Sequence, residues 1–115
     1  MRKDDARLED IRNAASRLAG YLGGVTFEQF LEDDMRKAAT IRELEIIGEA
    51  AYRISKRVKA DHPEVPWTTL MNLRNFYIHV YDRIDYERVW YTATHTIPPI
   101  HQVVSQLLPA IDEPV

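Results

Sequence analysis

Apolar residues recur at intervals of three and four positions along most of this 115-residue chain. In the first segment, from Asp4 to Leu22, the recurring positions are Leu8, Ile11, Ala15, Leu18, Ala19 and Leu22. This spacing places the apolar side chains on one face of an amphipathic helix, whereas a half-buried strand requires strict alternation. The sequence contains no strand pattern, internal repeat or low-complexity stretch. It therefore predicts an all-α fold, an antiparallel bundle of four main helices plus one short helix.

Glycines and capping residues predict the ends of the first two helices. Gly23 and Gly24 follow the last apolar position of the first helix and should end it. Thr26 and Gln29 have the spacing of a capping box, in which each side chain bonds the backbone N–H of the other residue. This box predicts a short helix through the segment FEQFLED.

A long helix is predicted to run from Asp33 or Asp34 to Ala60. Glu49 lies four residues before Arg53, which is the spacing of an ion pair along one helix face. Gly48, in the interior of this helix, suggests the close approach of another helix. The two prolines of DHPEVP end the helix, because proline cannot donate the next backbone hydrogen bond.

The remaining helices follow these prolines. Trp67 should begin a third main helix that lasts to about Tyr81. The connector DRID contains Asp85, the predicted N-cap of a final helix from Tyr86 to Leu108. Pro98 and Pro99 should kink that helix or split it in two.

Composition limits the kinds of protein that this chain can be. At 115 residues, positions 1–115 are expected to form a single domain, and the absence of cysteine excludes disulfides and thiolate metal sites. The longest uncharged run, Tyr91 to Leu108, contains two histidines and two prolines, which makes it a poor membrane span. No apolar segment typical of a secretory signal follows the N-terminal basic residues, so the protein is expected to be cytoplasmic. With a net charge of -3, any RNA contact should be local.

The segment RNFYIHVY, residues 74–81, concentrates chemically useful side chains in one helix. At about 100° per residue, Asn75, His79 and Tyr81 fall within ~140° of Arg74, and Leu70, Leu73, Phe76, Tyr77 and Val80 occupy the opposite arc. Met71 and Ile78 lie among the polar residues, which suggests a surface covered by a partner. A two-fold dimer would bring two copies of this face into one cleft.

An arginine and a histidine in one cleft are suited to the cleavage of a phosphodiester bond. His79 could transfer a proton near neutral pH, and Arg74 could stabilise the negative charge of a phosphorane-like transition state. With RNA the nucleophile is the 2′-hydroxyl of the substrate, so neither a protein nucleophile nor a metal ion is needed. The four histidines show no metal-ligand spacing, and no cofactor is predicted.

Other candidate residues have simpler interpretations. Arg53, Lys56 and Arg57 lie at helical spacing, either to guide RNA or as a solvated face paired with Glu49. His95 and His101, which flank the prolines, are interpreted as structural or solvent-exposed. The aromatic residues are interpreted as core or interface anchors rather than base-stacking platforms; they are Trp67, Trp90 and Tyr91.

The pattern of Arg74, four residues, His79, one residue and Tyr81 resembles the R-x4-H-x-Y signature of the HepT-like toxins, within the HEPN superfamily of helical ribonucleases. The flanking Trp67 and Asn75, the DRID and ERVW segments, and IRELEIIGEAAYRIS in the long helix are also similar to that family. The resemblance covers nearly the whole chain.

This resemblance implies a homodimeric HEPN-like bundle that cleaves RNA, tRNA or mRNA, in a composite, metal-independent cleft. Arg74 and His79 would be catalytic, with Asn75 as a supporting neighbour. Such toxins are usually paired with an MNT-type nucleotidyltransferase antitoxin that transfers AMP to the tyrosine of the signature, here Tyr81. Two alternatives remain open: a noncatalytic dimer that binds a nucleotidyltransferase, and a purely structural helical dimer.

Overall fold

The computed structural model describes residues 2–75 and 83–108, apart from the side chains of Arg2 and Asn75. Within these ranges the regular structure is helical throughout and no strand occurs, as the apolar periodicity predicts. The elements are α1 (Arg2–Leu22), α2 (Phe27–Leu31), α3 (Asp34–Arg53), α4 (Lys56–Asp61), α5 (Trp67–Met71) with a 3₁₀ turn (Asn72–Asn75), α6 (Tyr86–Tyr91), a π turn (Thr92–Thr96) and α7 (Ile97–Gln106).

Helices α1 and α3 form the centre of the fold. Side chains from α1, α3, α5 and α7 make one apolar core, whose fully buried members include Ile11, Leu18, Leu44, Ile47, Leu70, Ile97 and Val104. The two helices are antiparallel, because Asp4 at the start of α1 binds Ser55 just beyond the end of α3. At the opposite end, the carbonyl oxygen of Tyr21 accepts a hydrogen bond from Arg36 at 2.7 Å.

Side-chain caps occur at three helix starts, and the two that the sequence predicts, at Thr26 and Asp85, are confirmed. Thr26 and Gln29 form a complete capping box, with distances of 2.9 and 3.1 Å. The carboxylates of Asp33 and Asp85 accept the backbone N–H groups of the third residues of α3 and α6, at 2.9 and 3.1 Å. Gly24 has a φ of 75°, a conformation that glycine adopts without steric cost, just after α1 ends.

The prediction of one long helix from Asp33 or Asp34 to Ala60 is wrong at its C-terminal end. Helix α3 ends at Arg53, and Ile54 and Ser55 have extended backbones with ψ values of 142° and 153°. The buried carboxylate of Asp4 accepts the N–H and the hydroxyl of Ser55, each at 2.9 Å. The hydroxyl oxygen of Ser55 in turn accepts the N–H of Val58 and caps α4. These contacts hold a break that local periodicity does not reveal.

The final helical run is divided into α6 and α7 by the π turn, so the expected split of this helix is confirmed. The backbone hydrogen-bond pattern changes before the prolines, in the π turn, and Thr96 and Ile97 keep helical backbone angles. Pro98 and Pro99 therefore lie in the first turn of α7, where a missing N–H is tolerated.

The third main helix is described only as far as Asn75, where α5 has already tightened into the 3₁₀ turn. The rest of its predicted span, to Tyr81, lies outside the described residues. Among the helices of residues 2–75 and 83–108, none has both the length and the apolar character needed to cross a bilayer.

Candidate functional site

Arg74 is held at the surface of the fold by buried neighbours on the same segment. Trp67, Leu70 and Leu73 are buried in the core, and the indole Nε1 of Trp67 donates a hydrogen bond to the carbonyl of His62 at 2.9 Å. Leu70 and Leu73 thus occupy the core-facing arc that the helical geometry predicts. Arg74, on the other side, is only half-buried.

Gly48 allows the 3₁₀ turn to lie directly against α3. A Cβ atom at position 48 would be 2.7 Å from the backbone nitrogen of Arg74 and 2.9 Å from its Cγ. Such distances are well inside van der Waals contact, so only glycine fits at this position without displacing Arg74. The close approach expected from this glycine is confirmed.

The guanidinium of Arg74 stacks on an exposed tyrosine of α3. Its Cζ lies 3.9 Å from the centroid of the Tyr52 ring, and its Nε donates to the carbonyl of Met71 at 3.1 Å. Both contacts orient the side chain, since a cation is attracted to the face of an aromatic ring. No carboxylate of the described residues forms an ion pair with Arg74.

A second cation, Lys59 of α4, reaches the same place. Its Nζ donates to the carbonyl of Tyr52 and to the Sδ of Met71, each at 3.4 Å. Burial, and then repulsion by Arg74, lower the pKa of Lys59 from its ordinary value of 10.5. We name these four residues, Tyr52, Lys59, Met71 and Arg74, the Arg74 cluster.

The other predicted catalytic residues are not described in the same detail. The backbone of Asn75 ends the 3₁₀ turn, but its side chain lies outside the described residues, and so do His79 and Tyr81. Their predicted roles beside Arg74 remain predictions.

The three cations proposed to guide RNA do not share one helix, because the break at Ile54 and Ser55 separates them. Arg53 ends α3 and pairs with Glu49 at 2.6 Å, as the spacing predicts, and the pair is solvent-exposed. Lys56 and Arg57 are exposed on α4.

His95, His101 and Trp90 each contact another side chain of the described residues. The Nε2 of His101 lies 2.9 Å from the hydroxyl oxygen of Ser16, and exposed His95 stacks on Tyr91 with ring centroids 4.4 Å apart. Trp90 packs against Phe30 with centroids 5.1 Å apart. In residues 2–75 and 83–108, no three histidine or acidic side chains are grouped as metal ligands.

The arginine that begins the R-x4-H-x-Y pattern is therefore presented by the fold in an oriented, half-buried position. A model of the family described as ribonuclease HepT-like matches residues 11–107. The chain belongs to this family.

Relatives of the HepT-like chain carry ribonuclease names. A protein of Thermococcus cleftensis named a probable ribonuclease HepT is 39% identical over 93 residues, which cover 81% of this chain and 84% of the relative. A protein of Caldanaerobacter subterraneus subsp. tengcongensis, whose name assigns RNase activity provisionally, is 34% identical over 101 residues, 88% and 90% of the two chains. A similarly named protein of Methanocaldococcus jannaschii is 32% identical over 108 residues, 94% and 93%. No solved structure matches the chain.

Sequence reasoning missed two members of the Arg74 cluster in this HepT-like chain. Tyr52 lies four residues after Gly48, one turn along the same face of α3, so the close approach at Gly48 could have indicated it. Lys59 gave no local signal, because it reaches the cluster only through the break between α3 and α4.

Proposed function

We propose that this HepT-like protein is an endoribonuclease that cleaves RNA without a metal ion. The observation that carries the proposal is the presentation of Arg74: half-buried, stacked on Tyr52, and without an ion pair among the described carboxylates. A guanidinium in this setting can accept a phosphate of a substrate without first releasing a protein carboxylate.

The chemistry assigns one role to each signature residue. The 2′-oxygen of the substrate attacks the adjacent phosphorus, and His79 acts as general base or general acid for the proton transfers. The new bond joins phosphorus to the 2′-oxygen, the bond to the 5′-oxygen breaks, and the leaving oxygen takes up a proton. Arg74 binds the scissile phosphate and stabilises the additional negative charge of the transition state, with Asn75 as a polar neighbour.

The proposed active form is a homodimer whose two Arg74 and His79 pairs line one composite cleft. Met71 supports this arrangement, because an apolar side chain beside two cations fits a surface that a second copy partly covers. The bundle would then be of the HEPN type, with four main helices in each protomer.

We further propose that the protein is the cytoplasmic toxin of a toxin–antitoxin pair, neutralised by an MNT-type nucleotidyltransferase. The partner would join the hydroxyl oxygen of Tyr81 to the α-phosphorus of ATP, with release of pyrophosphate. Each added AMP would bring phosphate charge near Arg74, where it would compete with the phosphate of the RNA.

Cleavage of total tRNA and of an mRNA transcript by the purified protein, with and without EDTA, tests the proposal. Wild type should cut in both conditions, whereas Arg74→Ala and His79→Ala should lose activity at matched dimer content, measured by light scattering. His95→Ala, a change at an exposed histidine of the π turn, serves as the matched control and should retain activity.

Two results would contradict the proposal. Full cleavage by either signature variant would remove the assigned mechanism. No cleavage by wild type, with Tyr81 shown by mass to carry no AMP, would favour the noncatalytic dimer that only binds a nucleotidyltransferase.

A further inference from the structure

Lys59 and Arg74 meet at one residue, although they come from different helices. Met71 accepts a hydrogen bond from Arg74 Nε at its carbonyl and one from Lys59 Nζ at its sulfur. Tyr52 likewise contacts both cations, Arg74 through its ring and Lys59 through its carbonyl. The two positive charges are therefore held together by the same pair of residues.

This arrangement differs from that of four other basic side chains of the fold. Each of these four forms an ion pair with a carboxylate; they are Arg17, Arg36, Lys37 and Arg53. Among the described residues, neither Lys59 nor Arg74 has such a partner. The charge of Asp4 raises the pKa of Lys59, but burial and the charge of Arg74 lower it more.

The position of Lys59 is fixed by hydrogen bonds that hold the start of α4, the helix that carries it. The contacts of Asp4 with Ser55 fix the break after α3, and Ser55 caps the helix that carries Lys59. Two neighbouring cations that are fixed in place and lack anionic partners form a binding site for an anion with several oxygens, such as a phosphate diester.

We propose that Lys59 is a second phosphate-binding residue of the Arg74 cluster, where it contacts the backbone of a bound RNA beside Arg74, and that Tyr52 positions the guanidinium. The inference rests on the proposed function for the identity of the anion, which is the RNA backbone. Lys59 adds charge to the site, while the ring of Tyr52 restricts the orientations of Arg74.

Binding of a labelled single-stranded RNA, measured by fluorescence anisotropy at several salt concentrations, tests the proposal. All variants carry His79→Ala, so that the RNA stays intact. Lys59→Met keeps an unbranched apolar side chain of similar length but removes the charge. It should weaken RNA binding about tenfold, as expected when one charge-assisted hydrogen bond is lost. The slope of log affinity against log salt should become shallower by about 0.7, the value for one fewer phosphate contact on a single strand.

Lys37→Met is the matched control, because it removes one charge from another half-buried lysine that lies beside a tyrosine ring, Tyr86. Position 37 is about 22 Å from Tyr52 along α3. This variant should bind RNA as the parent does. Lys59→Arg should retain most of the affinity, and Lys59→Gln provides a second neutral variant if Lys59→Met does not fold.

The outcomes separate this inference from the proposed function. If wild type cleaves RNA and the neutral Lys59 variants bind RNA as tightly as the His79→Ala parent, Lys59 has no role and the inference is overturned alone. If wild type binds RNA with the predicted dependence on Lys59 but does not cleave it, the inference holds and the nuclease proposal fails. If no RNA binds, both are overturned.

Discussion

The ammonium of Lys59 lies in an electrostatically unfavourable place, and this has a measurable effect on stability. Burial and Arg74 lower its pKa in the folded protein, so the unfolded chain binds the proton more strongly. The charged lysine therefore destabilises the fold below its lowered pKa. We expect Lys59→Met to raise the urea midpoint at pH 7, although the same change should weaken RNA binding.

The stability difference between Lys59→Met and wild type should shrink as the pH rises through the lowered pKa toward 10.5, where both states lose the proton. Unfolding in urea at pH 7, 9 and 10 measures this trend. Lys37→Met should show no gain, since Lys37 pairs with Asp34. A difference that grew with pH would contradict the assignment.

Tyr52 offers a second prediction at the level of single residues. A cation over an exposed aromatic ring is worth about 0.5–1 kcal/mol, so Tyr52→Leu should lower the kcat/KM for RNA about two- to fivefold. Tyr52→Phe keeps the ring and should be close to wild type. In an Arg74→Ala background, where cleavage is lost, Tyr52→Leu should cause no further loss of RNA affinity, because its role is exerted through the guanidinium. An equal loss in both backgrounds would indicate a separate role.

Only part of the Arg74 cluster could be predicted from the sequence, and the reason why the rest was missed is physical. Arg74 was identifiable because its side-chain type and its neighbours Leu70 and Leu73 are local information. Lys59 was not, because its neighbours Met71 and Arg74 are more than ten positions away along the chain.

At the scale of elements, the contact between α3 and the 3₁₀ turn depends on Gly48. Gly48→Ala would place a Cβ 2.7 Å from a backbone nitrogen, which cannot move aside as a flexible side chain could. We expect a loss of about 1–3 kcal/mol in the free energy of unfolding, together with weaker RNA cleavage.

Gly20→Ala is the control for this variant, because nothing lies within 4 Å of a Cβ at that helical position. There the change should stabilise the protein by up to about 1 kcal/mol, the difference in helix propensity. Urea unfolding compares the two. Equal effects of the two alanines would mean that the close approach at Gly48 is unimportant.

The ends of the helices show which interactions sequence reasoning can capture. Thr26, Asp33 and Asp85 cap their helices through contacts three residues away, and the caps at Thr26 and Asp85 were predicted. The break at Ile54 and Ser55 was missed because a carboxylate 51 positions away stabilises it. Ser55 does have the side chain of a helix cap, but the apolar periodicity favoured a continuous helix.

For the molecule as a whole, polar contacts join α1 to α3 or to the residue that follows it at three positions. Asp4 binds Ser55 at one end, the Glu43 carboxylate accepts hydrogen bonds from Arg17 and Tyr21 at 2.9 Å in the middle, and Arg36 reaches the carbonyl of Tyr21 at the other end. The all-helical class followed from periodicity, whereas the register of this pair depends on polar contacts between distant residues. The dimer stays a prediction.

Asp4→Ala tests the contact between the start of α1 and Ser55. Loss of its carboxylate leaves the N–H and hydroxyl of Ser55 without their acceptor, which should cost about 1–3 kcal/mol in the free energy of unfolding. RNA affinity should also fall, because α4 carries Lys59. Asp4→Asn, which retains one acceptor oxygen, should lose less by both measurements. If Asp4→Ala is clearly destabilised but its RNA affinity is unchanged, the position of Lys59 does not depend on the contact between Asp4 and Ser55.

The bond between Asp4 and Ser55 also affects how a genetic selection would be interpreted. If the protein arrests growth as proposed, survivors of its expression should carry substitutions at Asp4 as well as at Arg74. On a linear map these mutations would lie 70 codons apart and suggest two separate activities. In the folded protein they would disable the same one, because the first turn of α1 sets the position of Lys59, the cation proposed to bind the RNA.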